Sequence, residues 1–170
     1  TNFTCSDIGD NNITLTVSDL IGNASACGAI VTVIDTITPT ITCPPDVVVS
    51  SDSGFCIATG VSLGNVTTGD NCQSLSISNN GLAQYPVGTT NITWTAADQS
   101  GNSSQCIQNI TVIDTISPIA ICQNIDVYLD NSGNVSINPS DIDGGSFDNC
   151  GNISLSASNT NFTCSDIGLN

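Results

Sequence analysis

The chain has 170 residues and no Lys, Arg, His, Met or Glu; its 15 acids are all Asp, giving a net charge of −15. No internal salt bridge can form, and no basic group can displace phosphate counterions, which excludes nucleic acid and acidic membrane surfaces as direct partners. Nine Cys point to an oxidising, extracellular setting, and the apolar stretches are strand-sized, so neither a signal peptide nor direct membrane insertion is expected of this segment.

In chain order, Ile13-Thr14-Leu15-Thr16-Val17 alternates apolar and polar residues, the pattern of a half-buried strand. Val47-Val48-Val49 is a short β-branched run. Asn91 to Ala96 alternates again, with Ile92, Trp94 and Ala96 on one face. Cys106, Ile110 and Val112 share a face and leave Asn109 and Thr111 outside; Val127-Tyr128-Leu129 is a further short run. Turn signals separate these runs at Asp52-Ser53-Gly54, Asn79-Asn80-Gly81, Ser100-Gly101-Asn102 and Asn131-Ser132-Gly133. No window has a useful helical period. The pattern predicts an all-β chain of immunoglobulin-like β-sandwich modules, with about seven short strands in about 80 residues. Aromatics are 4% of residues, so each core is small and disulfides must supply stability that the core cannot.

Two repeats organise the chain. Residues 1–11 return as residues 160–170, with Asp10 against Leu169 the one difference, at an offset of 159. Within that period a weaker repeat runs at an offset of 79: Asp35-Thr36-Ile37-Thr38-Pro39 matches Asp114-Thr115-Ile116-Ser117-Pro118, and Cys27 matches Cys106. A chain that re-enters its own sequence reads as one period of a longer array. The expected domains are a complete module at 36–114, the last part of a split module at 1–35, and the first part of the next split module at 115–170. Each split module would need a neighbouring copy, head to tail, to complete it.

Val33-Ile34-Asp35-Thr36-Ile37-Thr38-Pro39-Thr40-Ile41-Thr42-Cys43-Pro44 resembles the opening of a hyalin repeat (HYR) module. Thr95-Ala96-Ala97-Asp98-Gln99-Ser100-Gly101-Asn102, followed by Cys106 and Val112-Ile113-Asp114, resembles its close. The split module, with Ala120-Ile121-Cys122-Gln123-Asn124 and Asp143 to Cys150, is similar to related repeats of very long bacterial surface proteins. The resemblance implies tandem immunoglobulin-like sandwiches that serve in adhesion and as spacers.

Comparison of the two modules then pairs Cys43 with Cys106, and Cys122 with Cys27 of the next copy. It also gives Cys56–Cys72 and Cys150–Cys164, with Cys5 bonded to the preceding copy's Cys150. Spacing alone does not fix connectivity. A zinc site is disfavoured, because there is no His and no Cys-x-x-Cys.

In an immunoglobulin-like topology the entry linker and two loops meet at one end. That end would gather Asp35, Asp70, Asn71 and Asp98 in the complete module. In the split module it would gather Asp114, Asp141, Asp143 and Asp148, plus Asp19 of the next copy. Carboxylates gathered without a cation repel one another, and Ca2+, which takes six to eight oxygen ligands, suits such a junction. Asp and Asn are equally ordinary turn residues that need no metal.

Ten Asn-x-Ser/Thr sequons, at Asn2, Asn12, Asn23, Asn65, Asn91, Asn102, Asn109, Asn134, Asn152 and Asn161, are about twice what chance gives. Asp-Thr-Ile also resembles a bacterial O-glycosylation signal on Thr36 and Thr115. Covalent glycans are therefore expected partners, and a glycan coat would keep a chain with so few charges soluble.

Without His or Lys, and with its Cys in bridges, the chain lacks the groups that enzymes use for proton transfer and attack, and no catalytic residue is expected. The leading reading is the repeat unit of an extracellular fibre or adhesin stalk, a semi-rigid rod advancing about 35 Å per module and about 70 Å per period. A sugar- or protein-binding module, and a separate subunit that polymerises by strand complementation, are the alternatives.

Overall fold

The computed structural model describes residues 2–72, 74–151 and 153–168. The described residues form twelve strands: β1 (Gly9–Ser18), β2 (Ala24–Val33), β3 (Thr40–Thr42), β4 (Val47–Ser50), β5 (Ile57–Thr59), β6 (Thr67–Gly69), β7 (Ser76–Asn79), β8 (Gln84–Pro86), β9 (Gly88–Ala97), β10 (Ser103–Ile113), β11 (Asn134–Ser136) and β12 (Asn161–Thr163). The helical pieces among these residues are three short 3-10 turns, at Cys5–Asp7, Pro139–Ile142 and Cys164–Asp166. The chain is all-β, in five small sheets consistent with β-sandwich architecture: β4-β10-β9-β7, and the pairs β1-β2, β3-β6, β5-β8 and β11-β12. No helix among the described residues is long and apolar enough to cross a membrane.

The strands group into two compact units. One comprises Thr1–Val47, Ser62–Leu82 and Thr90–Ile110, and the other Val48–Val61, Ala83–Thr89 and Thr111–Asn170. In the first, Ile92, Trp94 and Ala96 of β9 and Gln108 and Ile110 of β10 are buried, the faces that alternation predicts. Buried Gln108 ties this core together. Its Oε1 accepts from Trp94 Nε1 at 3.1 Å, and its Nε2 donates to the carbonyls of Pro45 (2.8 Å) and Leu63 (2.9 Å). In the second unit Ala58, Tyr85 and Val112 are buried, and Ala58 faces Tyr85 across β5-β8.

The repeated sequence folds the same way twice. Thr4 precedes its 3-10 turn at φ −129°, ψ 178°, and Thr163 precedes the second at φ −129°, ψ −179°. In each, the Thr backbone N–H donates at 2.8 Å to the Asp three residues on, Asp7 or Asp166. The internal repeat has matching elements as well. β5-β8 (Ala58↔Tyr85) corresponds to β11-β12 (Val135↔Phe162), and the β9-β10 hairpin corresponds to β1-β2. Asp98 and Asn102 close their hairpin turn through both Asn102 nitrogens at 2.8 Å; Asp19 and Asn23 do the same at 2.8 and 2.7 Å.

What differs is burial. Ile13, Leu15, Val17, Cys27, Ala29, Val31 and Val33 share one face of β1-β2, because Leu15 pairs with Cys27 and Ile13 with Ala29. At the offset of 79 they stand where Ile92, Trp94, Ala96, Cys106, Gln108, Ile110 and Val112 stand in β9-β10. Yet Leu15 is 57% and Val17 62% exposed, against 7% for Trp94 and 0% for Ala96. The hairpin has a core face and no core. Conversely, residues 123–168 form an open trough of 680 Å³ whose apolar lining includes Val127, Leu129, Val135, Ile137, Ile142 and Phe162. The run Val127-Tyr128-Leu129, read as strand-like from sequence, has no ladder. Its counterpart β4 pairs with β10, and the strand equivalent to β10 in this module is β2, which lies in the other unit.

Candidate functional site: two stapled acidic junctions

Three disulfides are present among the described residues: Cys43–Cys106, Cys5–Cys72 and Cys56–Cys150, with Cα separations of 5.7, 5.4 and 5.0 Å, all ordinary for a disulfide. The first ties the stretch between β3 and β4 to β10. The other two correct the pairings Cys56–Cys72 and Cys150–Cys164, and the bond of Cys5 to a preceding copy. Cys72 and Cys150 each follow an Asp-Asn pair, and each bonds a cysteine far back in the chain, so each bond is a staple within one compact unit: Cys5–Cys72 in the first and Cys56–Cys150 in the second.

The reason is local register. An offset of 79 sets Cys56 against Val135 and Cys164 against Tyr85, but the strand pairs β5-β8 and β11-β12 superpose at an offset of 77. That offset puts Cys56 opposite Gly133 and Val87 opposite Cys164. Val87 N–H bonds the Cys56 carbonyl at 3.0 Å, and Cys164 Sγ packs over Gly133. Gly133 has φ +78°, and a Cβ there would lie 2.7 Å from that sulfur. Cys56 and Cys164 thus sit at the same end of corresponding strand pairs, on one strand or the other. Cys56 reaches the Asp148-Asn149-Cys150 loop: Asn149 Nδ2 donates to the Phe55 carbonyl at 3.2 Å beside Cys56–Cys150. Cys27, Cys122 and Cys164 are free and exposed.

Each staple lies beside acidic groups. Carboxylate oxygens of Asp35, Asp70 and Asp98 lie within 4.8 Å of one another. Asp35, 8% exposed, comes from the linker after β2. Its Oδ1 accepts from Ile37 N–H at 3.1 Å and from Asn71 Nδ2 at 3.2 Å. Asp70 Oδ2 accepts from Cys72 N–H at 3.0 Å. Asp98 is held by Asn102, whose Nδ2 also donates to the Asp35 carbonyl at 3.1 Å. Desolvation, the largest single influence on Asp98, raises its pKa. The Asn102 side chain and the backbone N–H groups of Asn102, Gly101 and Ser100 together outweigh it, leaving the carboxyl below its ordinary value. Asp35 Oδ2 and Asp70 Oδ1 are buried without any hydrogen-bond partner. Two such carboxylates at this range repel by roughly 3–4 kcal/mol at an effective dielectric constant near 20.

At the second junction Asp114 and Asp148 come together with Cys150, whose sulfur is already in the disulfide. Asp114 Oδ1 accepts from Ile116 N–H at 3.0 Å and Asp148 Oδ1 from Cys150 N–H at 2.9 Å, while Asp148 Oδ2 is buried and unpartnered. Asp141 and Asp143 lie outside both groups. Asp141 Oδ2 caps its 3-10 turn through Asn138 N–H at 2.8 Å, and Asp143 Oδ1 accepts from Ser146 N–H at 2.8 Å. Asp19 is in the β1-β2 turn, bonded to Asn23. Asn71 turns its amide nitrogen to Asp35 and acts there as a donor.

Of the sequon residues, Asn2, Asn12, Asn23, Asn65, Asn91, Asn134 and Asn161 are exposed, as are Thr36 and Thr115. Asn102 and Asn109 are half-buried with their Nδ2 engaged, Asn102 on Asp98 and Asn109 on Asp46 at 2.9 Å. Asn109, expected on an outward face, is therefore a structural donor. Asn152 lies outside the described residues. The Trp94–Gln108 pair escaped sequence reading; its signal was the joint change to Leu15 and Ala29 at the offset of 79.

Strands, cross-linked ends and stapled junctions define a class: small disulfide-bonded β modules. Residues 34–112 match the family model for the HYR domain. HYR is an extracellular, repeat- and adhesion-type domain, not an enzyme family. No curated protein matches the chain.

Proposed function

We propose that the chain is one period of an extracellular fibre or adhesin stalk, in which modules join head to tail and every junction is locked by a disulfide. The observation that supports this reading is that the chain carries two complementary incomplete halves. β1-β2 exposes a complete set of core positions, and 123–168 exposes the trough such a hairpin fills in the HYR module. Cys27 and Cys122, counterparts of bonded Cys106 and Cys43, are the free cysteines that go with them. Seating one copy's hairpin in the trough of the copy before it completes the split module. The eight distinct cysteines of a period then form four bridges, and Cys164, the repeat of Cys5, bonds the following copy's Cys72.

The experiment is a non-reducing peptide map of a chain carrying two consecutive periods, with alkylation before digestion. A peptide linking Cys122 of the first period to Cys27 of the second is expected. Full alkylation of both would overturn the reading. Exposed Asn12, Asn65 and Asn91 fit the same reading as glycan acceptors on the rod's outside.

A further inference from the structure

We infer that Asp35, Asp70 and Asp98 form a divalent-cation site of the calcium type, filled in the working protein and stabilising the junction closed by Cys5–Cys72. Calcium coordinates through oxygen, and this site offers three carboxylates from three separated segments, linker, Asp-Asn-Cys loop and hairpin turn. Clustered acids alone would not be enough. The deciding observation is Asp35 Oδ2: the residue is more than nine-tenths buried and that oxygen has no partner, while Asp70 Oδ1, on a carboxylate of the same cluster, is buried and unpartnered too. The other oxygen of each carboxylate is spoken for, by Ile37 and Asn71 in one case and Cys72 in the other. One oxygen of each carboxylate is therefore left without a donor from the protein. Native proteins pair buried charges or neutralise them, and this chain has no Lys, Arg or His to do so. A cation from solvent is the partner that remains, and Asp98, whose turn is fixed by Asn102, adds a third ligand.

The site lies wholly within one chain, so it stands apart from the proposed array. The test uses the oxidised single-period chain, stripped with a chelator and titrated with Ca2+ alone by calorimetry and by thermal melting at pH 7. Saturable uptake is expected, with a dissociation constant in the roughly 10⁻⁴–10⁻³ M range of extracellular modules and a rise in Tm of at least about 4 °C at saturation. Asp98→Asn, in a hairpin turn, and Asp35→Asn should each weaken uptake at least tenfold. Asp143→Asn, outside the site, should leave it unchanged. If the stripped wild-type chain takes up no Ca2+ and melts at the same temperature with and without it, the inference is wrong. Equal uptake by wild type and the Asp98→Asn and Asp35→Asn variants would likewise overturn it.

Discussion

At the scale of single residues, the buried amide of Gln108 shows how the two modules diverged without losing the fold. It accepts from the indole of Trp94 and donates to two main-chain carbonyls, Pro45 and Leu63, so one side chain satisfies three buried groups. In β1-β2 the same two positions hold Leu15 and Ala29, which face the same side of the hairpin and require no polar partner. The indole and the amide are retained or lost together, as expected when a buried donor left unpaired costs about 1–3 kcal/mol. Gln108→Ala should therefore destabilise the chain by about 2–3 kcal/mol in urea unfolding, through unpaired groups and a cavity. Trp94→Leu combined with Gln108→Ala should cost less than the two single changes added, by at least about 1 kcal/mol. Strict additivity would show that the two side chains are not coupled.

At the scale of elements, the hairpin β1-β2 is a complete ladder from Gly9↔Val33 to Ser18↔Ala24 that lacks a second layer. An isolated hairpin is marginal in water; what stabilises β9-β10 is the burial of Ile92, Trp94, Ala96 and Ile110. Amides of β1-β2 should exchange at least about 100-fold faster than the inner amides of β9-β10 in the single-period chain, by hydrogen-exchange mass spectrometry. In a two-period chain the internal copy of the hairpin should become protected. Equal protection in both chains would count against a missing second layer. Alternation alone revealed which residues of these strands face inward, since period-two patterning is a property of the strand itself. It could not reveal that Val127-Tyr128-Leu129 lacks a ladder, because a ladder depends on a partner remote in sequence. The cysteine pairings escaped for a related reason. One global offset of 79 hid a local offset of 77, so Cys56 and Cys164 looked like unmatched residues when they stand at the same end of corresponding strand pairs. Asp35, Asp70 and Asp98 were legible together because the topology brings a linker and two loops to one place. Asp141 and Asp143, expected beside Asp114 and Asp148, close local turns through Asn138 and Ser146 instead of joining that group, a difference that composition does not reveal.

At the scale of the whole molecule, the staples decide how force would pass along the proposed fibre. Cys5–Cys72 and Cys56–Cys150 close loops of 67 and 94 residues, and cross-links of that span stabilise by about 4 kcal/mol each in the chain-entropy account. In the proposed array each would join a module to its successor, so neighbouring modules would not separate while the bridges remain, and hydrophobic cores this small would not bear the load alone. The ten- and eleven-residue strands β9 and β10, at about 3.3 Å per residue, correspond to a module length of about 35 Å, so material of many periods of the proposed array should have an axial repeat of about 70 Å per 159 residues. A cryo-EM map of native, unreduced material would test this directly. Continuous density from module to module at that repeat, with branched density on Asn12, Asn65 or Asn91, is the expected result. Under a strong thiol reductant the repeat should blur as junctions bend, while β9-β10 pairing persists within each module. Discrete particles with no axial repeat would instead assign these modules to a short binding protein, whose exposed β1-β2 face would then serve a different partner.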